Sequence, residues 1–130
     1  MTPAMYIRNL IVDNIHLFND LAIEHVHTFM IDKDDVSNGK PIIVIKEPPV
    51  KSRNYGNSEP ISELRTIQID FYYPKDYMGD MEGLEHKIES FLFTQNITET
   101  TNAGHAIVPE TENITNTIKF NYIKELDING

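Results

Sequence analysis

The chain has 130 residues, no cysteine and a formal net charge of −9 at pH 7. This length predicts a single domain, residues 1–130, with one hydrophobic core. The lack of cysteine excludes disulfides, thiolate zinc sites and thiol nucleophiles, and the acidic balance argues against a general nucleic-acid binder, which needs clustered Lys and Arg. No apolar run approaches the roughly 20 residues that span a bilayer, and no secretory signal begins the chain, so we expect no membrane segment.

The charge is unevenly distributed along the chain. Residues 36–58 carry four bases against one acid, whereas residues 1–35 and 59–130 are both acidic. A basic segment on an acidic body can pair electrostatically with another copy of the same chain. A solvated loop that happens to hold a few lysines explains the same pattern, and composition alone leaves both explanations open.

A first helix is predicted over about residues 3–19. Thr2 followed by Pro3 is typical of an N-cap and the first helical position. Apolar side chains then recur at helical spacing, which predicts one buried face. The residues of this face are Ile7, Leu10, Ile11, Ile15, Phe18 and Leu21.

Two strands are predicted next. Alternation in residues 21–32 places His25 and His27 on one face of the first strand and Glu24 on the other. Asn38-Gly39 is a strong hairpin signal before the second strand. The segment PIIVIKE, residues 41–47, is apolar on both faces and therefore predicts a central strand.

A long flexible loop or hairpin arm is predicted at about residues 47–60. Residues 48–60 contain three prolines, one glycine and several polar side chains, and loops of this length inside a domain are commonly functional. Arg53 and Tyr55 lie among these residues, where burial in a core is improbable. Tyr and Arg are residue types that anchor protein interfaces, although plain exposure explains them as well.

A third strand and a second helix follow. Ile67, Ile69, Phe71 and Tyr73 alternate, and Pro74 ends this strand. Asp80 is a candidate N-cap for the helix. Its predicted apolar stripe consists of Met81, Leu84, Ile88, Phe91 and Leu92, and its predicted water-facing residues are Glu82, Glu85, Lys87 and Glu89.

The last segments predict a closing hairpin. Ile114, Ile118, Phe120 and Tyr122 share one face of its second strand. The resulting order is α-β-β-β-α-β-β, with two helices packed on a mainly antiparallel sheet. This pattern is typical of an α+β domain.

No catalytic constellation is evident. His25 and His27 are a possible metal pair, but a site needs a third ligand and Glu24 faces the other way. The carboxylates near the second helix show no spacing that marks an acid–base pair, and the serines and glycines fit neither a nucleophile elbow nor a phosphate loop. We therefore expect no enzyme activity and predict no catalytic, cofactor-binding or metal-binding residues.

The element order, the size and the segment LRTIQIDFYYPKDYMGDMEGLEHKIESFL together resemble a known family. They are similar to the tail terminator, or tail completion, proteins of long-tailed bacteriophages, particularly the minor tail proteins of phages that infect Gram-positive bacteria. Residues 67–73 match the family's strand and residues 81–92 its amphipathic helix. Residues 5–18 match its first helix, and residues 113–124 its closing strand.

The resemblance implies a virion structural protein. It implies a ring, usually a hexamer, that caps the tail tube, ends tail polymerisation and offers a surface for head attachment. The implied partners are other copies of the chain, the tail tube protein and the head–tail connector protein, with DNA passing through the lumen without sequence-specific binding. The implied location is the virion tail after assembly in the host cytoplasm, with no membrane and no cofactor.

We expect the basic segment to reach a neighbouring subunit or the tail tube, and the acidic strand-to-helix region to receive it. The candidate interface residues are Lys51, Arg53, Asn54, Tyr55, Tyr72, Asp76, Tyr77, Asp80, Glu82, Glu85 and Glu89. Two alternatives stay open. One is a head–tail joining protein of the phage neck, and the other is a small metal-dependent hydrolase that uses His25, His27 and nearby carboxylates.

Overall fold

The computed structural model describes residues 2–31, 39–48, 53–56 and 59–125. Two helices, α1 (Pro3–Asp13) and α2 (Met81–Thr94), pack on one face of a sheet. The strands are β1 (Val26–Thr28), β2 (Ile42–Lys46), β3 (Arg53–Gly56), β4 (Glu59–Tyr73), β5 (Thr98–Asn102), β6 (Ala106–Ile107) and β7 (Ile114–Glu125). The fold is α+β, with a mostly antiparallel sheet and an element order close to the predicted one.

The sheet is built around the long β4–β7 pair. Its strand order is β1-β2-β4-β7-β5, with β3 pairing to the first part of β4 and β6 to the first part of β7. The register of β4 and β7 runs from Ser62 opposite Glu125 to Tyr73 opposite Ile114. Because strands rise about 3.3 Å per residue, the pair is roughly 36 Å long and has two distant ends. We call the end at Tyr73 the loop end and the end at Ser62 the arm end.

The core lies between the helices and one face of the sheet. The predicted alternation of β4 is confirmed, since Ile67, Ile69, Phe71 and Tyr73 are all fully buried. The predicted shared face of β7 is confirmed as well. Its members in the core or packed against it are Ile114, Ile118, Phe120 and Tyr122.

The sequence signals for the helix starts are confirmed. The Thr2 hydroxyl accepts a hydrogen bond from the Met5 amide at 3.2 Å, and Pro3 occupies the first turn of α1. The Asp80 carboxylate accepts from the Gly83 amide at 3.0 Å and caps α2. Each cap satisfies an amide that has no partner inside its helix.

Three local predictions are wrong. The first helix ends at Asp13 and continues as a 3-10 turn over Ile15–Leu17, because the Asn14 amide side chain bonds back to the Leu10 carbonyl at 2.8 Å. The first strand is only Val26–Thr28, preceded by a 3-10 turn at Ile23–His25. It pairs parallel to β2, so the two are not the hairpin that Asn38-Gly39 indicated; Asn38 itself lies outside the described residues.

The central position of β2 is confirmed. It lies between β1 and β4, and its residues Ile42, Ile43, Val44 and Ile45 are buried. Ile43 and Ile45 belong to the core under the helices. Ile42 and Val44 point to the opposite face because side chains alternate along a strand.

Candidate functional site

The part of the basic segment that carries Arg53 lies at the arm end of the sheet, whereas Lys46 lies opposite Gln68 in the middle of it. Arg53 pairs with Glu63 of β4, Asn54 with Ser62 and Tyr55 with Pro60, with a register shift between Asn54 and Tyr55. Lys51 and the side chains of Arg53, Asn54 and Tyr55 lie outside the described residues. Next to this pair, Lys124 of β7 lies opposite Glu63 and is exposed.

The acidic strand-to-helix region lies at the loop end. Asp76 and Asp80 are exposed in the connection between β4 and α2, and Glu82 is exposed in the first helical turn. The two halves of the predicted interface are therefore separated by the length of the sheet within one chain. Contact between them requires two copies.

The connection at the loop end is held in place by Tyr77. Its ring stacks on Tyr73 with centroids 5.3 Å apart, and its hydroxyl donates to the Asp20 carboxylate at 2.7 Å. The backbone at Gly79 runs so close that an added Cβ would overlap the Tyr77 hydroxyl and lie 2.6 Å from the Asp20 carboxylate. Burial and the bond to Asp20 raise the pKa of Tyr77, so this hydroxyl stays protonated and donating.

Glu85 does not face water as predicted. It is only 3% exposed, and its carboxylate lies between α2 and the sheet. Glu85 Oε2 accepts a 2.6 Å bond from the Tyr73 hydroxyl and is 2.8 Å from His105 Nε2. Glu85 Oε1 accepts a 2.8 Å bond from the Asn116 amide nitrogen. Glu85 is thus a buried anchor of α2 and is removed from the candidate interface.

Asn116 extends this cluster to the segment after β5. Its amide nitrogen also donates to Asn102 Oδ1 at 3.0 Å, and Asn102 Oδ1 accepts from the Gly104 amide at 3.1 Å. Burial and the Glu85 bond raise the pKa of Tyr73, which keeps its hydroxyl protonated as a donor. These bonds fasten the helix, the sheet and residues 102–105 to one carboxylate. This arrangement stabilises the fold, because each of these polar contacts joins two parts of the same chain.

Two glutamates, Glu89 of α2 and Glu99 of the edge strand β5, lie close together. Burial, the nearby charge of Glu99 and a hydrogen bond to Glu99 raise the pKa of Glu89. His86 Nδ1 lies 3.9 Å from Glu89 and opposes this effect. Both glutamates line a surface pocket of about 330 Å³ with Phe93. Glu89 is thus half-buried beside a like charge and is not a freely solvated acid.

The sheet face opposite the helices carries an ion pair between a buried aspartate and a partly exposed lysine. Asp70 is 6% exposed, and one of its oxygens lies 2.7 Å from Lys46 Nζ. The other oxygen accepts bonds of 2.9 Å from both Gln68 and Thr117. The hydrogen bond to Asp70 raises the pKa of Lys46. Tyr72 is half-buried on this face, at the loop end of β4.

A pocket of about 340 Å³ opens at the arm end. Tyr6 of α1 and Tyr122 of β7 lie in its wall with ring centroids 5.7 Å apart. The other residues that line it are Thr2, Gln95, Asn96, Ile123 and Lys124. Among these described lining residues Lys124 carries the only formal charge. The pocket therefore offers aromatic surface with a cationic margin.

His25 and His27 do not form a strand pair. His25 is buried in the 3-10 turn, whereas His27 is half-buried in β1. No group of three or more His, Asp or Glu side chains able to hold a metal occurs among the described residues. Within the same part of the chain, no helix has the length and apolar character needed to cross a membrane.

Sequence reasoning missed Asn116, His105 and the buried role of Glu85. Signals for two of them were present. Asn116 lies between Ile114 and Ile118 on the inward face of β7, and Glu85 lies four residues after Met81 and three before Ile88 in the apolar stripe of α2. No local pattern marks His105, because its contact with Glu85 is made across 20 residues.

The chain matches no protein-family model, and no curated protein matches it by sequence.

Proposed function

We propose that this protein is a phage virion structural protein that assembles with copies of itself into a ring. In this proposal the ring caps the tail tube, stops its polymerisation and presents a surface to the head. One observation carries it. The acidic loop and β3, which carries Arg53, lie at opposite ends of a long strand pair, so one chain cannot join them but two chains can.

The polarity of the surfaces favours a closed, head-to-tail assembly. A contact between different patches repeats from copy to copy, and it forms a ring when the rotation closes. Within the described residues, β1 and β5 are the terminal strands of the sheet order, and the five residues of β5 are all exposed. Open strand edges of this kind favour association with another chain.

The buried polar cluster supports a structural role for α2. Glu85 is enclosed by Tyr73, His105 and Asn116, so it anchors the helix beneath the acidic loop. A fixed loop suits a protein whose work is surface complementarity, because ordering costs on association are then small.

The test is whether the purified protein closes into rings and blocks tube growth. We expect sedimentation and negative-stain images to show rings at high protein concentration or at the ends of tail tubes. Tube extension in the presence of the protein should stop. Binding to purified head connectors without any effect on tube length would favour the neck-joining alternative and contradict the terminator assignment.

The charge pairing has its own test. Reversing Lys51 and Arg53 to Glu should weaken ring formation, because the acidic loop of the neighbour would then face like charge. The matched control is Lys119→Glu, an exposed lysine in the middle of β7, away from both ends of the strand pair. Unchanged assembly of the double variant at moderate salt would remove this pairing from the proposal.

A further inference from the structure

Met78 is the most exposed large apolar side chain among the described residues. It is 96% exposed, against 74% for Met30. Single exposed apolar side chains are common on protein surfaces, but the turn that carries Met78 is held in place by hydrogen bonds. The residues on either side of the Met78–Gly79 pair are held by internal bonds: Tyr77 bonds to Asp20, and Asp80 caps α2.

The hydrogen bonds of this turn explain why Met78 points outward. The Tyr77 amide donates to the Pro74 carbonyl at 2.9 Å, which closes a turn just before Met78. The Gly79 backbone is pressed against the Tyr77 hydroxyl and Asp20. A side chain presented on a fixed turn loses little conformational freedom when it docks, so more of its contact energy is retained.

The pocket at the arm end has the chemistry to receive this side chain. Methionine fills irregular apolar gaps, and its sulfur makes favourable contacts with aromatic rings, worth about 0.3–1.5 kcal/mol each. Tyr6 and Tyr122 supply two such rings, with centroids 5.7 Å apart.

The charges around the two surfaces are complementary. Asp76 and Asp80 flank Met78 in sequence and are exposed, whereas Lys124 lines the pocket. Arg65 and Glu47 both act on the ionisation of Tyr122, in opposite directions, so Lys124 is the cation that marks the edge of the pocket. Opposite charges around an apolar contact set the orientation of the two partners and raise the association rate.

Geometry excludes a contact within one chain. The loop follows Tyr73, which lies opposite Ile114, whereas Tyr122 lies opposite Arg65, eight residues back along β4. Eight residues of strand span about 26 Å. Met78 of the same chain therefore cannot reach the pocket, and a Met78 side chain that occupies it comes from a second molecule.

We infer that Met78 of one subunit inserts into the Tyr6–Tyr122 pocket of a second copy of this chain, with Asp76 and Asp80 facing the neighbour's Lys124. This contact rests on the proposed function in one respect, because it is assigned as the contact that repeats around the ring. Met78 is the inserted side chain, the Tyr6–Tyr122 pocket receives it, and the copies are therefore joined head to tail.

Cysteine cross-linking tests the contact, since the chain has no cysteine of its own. The double variant Met78→Cys/Gln95→Cys, with the second cysteine at an exposed residue that lines the pocket, should give a ladder at multiples of 15.0 kDa when treated with a short bis-maleimide at high protein concentration. The matched control Met30→Cys/Gln95→Cys uses another exposed methionine and should give no ladder. In parallel, Met78→Glu should weaken self-association at least tenfold, and Met30→Glu should not.

The outcomes separate this contact from the proposed function. Rings in images together with no ladder from the Met78 pair would overturn the contact and leave the ring assignment standing. A ladder from a protein that never closes rings and never stops tubes would support the contact and contradict the proposed function. Equal ladders from the Met78 and Met30 pairs, or equal self-association of Met78→Glu and wild type, would overturn the contact.

Discussion

The Tyr73 hydroxyl donates a 2.6 Å hydrogen bond to Glu85 Oε2, and both residues are withdrawn from solvent. This bond joins the end of β4 to α2 at the base of the acidic loop. A buried carboxylate is tolerated only when its oxygens are satisfied, and here Asn116 and His105 complete the set. Glu85, a residue of α2, therefore helps to hold the acidic loop in position.

Replacing Glu85 should destabilise the fold. Glu85→Gln turns one acceptor oxygen into a donor that faces existing donors, and we expect a loss of about 1–3 kcal/mol in the free energy of unfolding. Urea denaturation measures it. Glu82→Gln, at an exposed position of the same helix, should change stability by only a few tenths. Equal losses from the two variants would show that the cluster contributes nothing beyond surface charge.

Glu89→Gln should have the opposite effect at neutral pH. The pKa of Glu89 is raised, so folding favours its protonated form. That stabilisation is complete below the ordinary glutamate pKa and is lost as pH rises through the folded-state value. At pH 7 the ionised side chain is desolvated beside Glu99, and glutamine removes this cost.

The gain from Glu89→Gln should be below about 1 kcal/mol, since the pair is partly screened by solvent. Melting temperatures at pH 7 and pH 4 measure it, with Glu82→Gln as control. We expect Glu89→Gln to melt higher at pH 7 and the difference to shrink at pH 4. A gain that is the same at both pH values would contradict the assignment.

Gly79→Ala should disrupt the turn that carries Met78. The new Cβ would overlap the Tyr77 hydroxyl and crowd the Asp20 carboxylate, so these two side chains must shift and their hydrogen bond is disturbed. We expect a loss of about 1–3 kcal/mol, as for overpacking elsewhere. Tyr77→Phe removes only the hydrogen bond and should cost about 0.5–1.5 kcal/mol. Thermal unfolding compares them, and a Gly79→Ala variant as stable as wild type would show that the close approach has no consequence.

Lys46→Met should destabilise the helix-free face of the sheet. It leaves buried Asp70 with Gln68 and Thr117 only, and we expect a loss of about 1–3 kcal/mol near pH 7. Lys119→Met, an exposed lysine of the same face, is the control and should change little.

The Lys46–Asp70 pair predicts that the stability of the fold depends on pH in the alkaline range. The pKa of Lys46 is raised by Asp70, so its stabilisation is complete below the ordinary lysine pKa of about 10.5 and is lost as pH rises through the folded-state value. The difference between wild type and Lys46→Met should therefore narrow above about pH 10.5. A difference that stays constant through this range would contradict a charge-based role.

The helix caps, the core strands and the α+β class could be predicted because each depends on short-range patterns. Asp80 followed by Gly83, and the alternation from Ile67 to Tyr73, are visible in a few residues of sequence. The parallel pairing of β1 with β2 could not be predicted, because it depends on where the chain returns after a long connection. Local turn chemistry at Asn38-Gly39 predicted the antiparallel alternative.

The exposure of three acidic interface candidates was predicted correctly, whereas their use as an interface stays a prediction. Asp76, Asp80 and Glu82 are exposed at the loop end, as surface acids must be. Glu85 was assigned to the surface because its charge was given more weight than its helical position, and its partners come from distant strands. The pocket beside Tyr6 could not be predicted, since it is formed by α1, the end of α2 and β7.

The mass of the assembled species is the most direct test of the claim that this protein works by joining copies of itself. Sedimentation velocity over a wide concentration range, with and without tail tubes, should show a discrete closed species at a multiple of 15.0 kDa. Met78→Glu should lower its abundance. A protein that stays monomeric at every concentration and leaves tube ends uncapped would contradict the account.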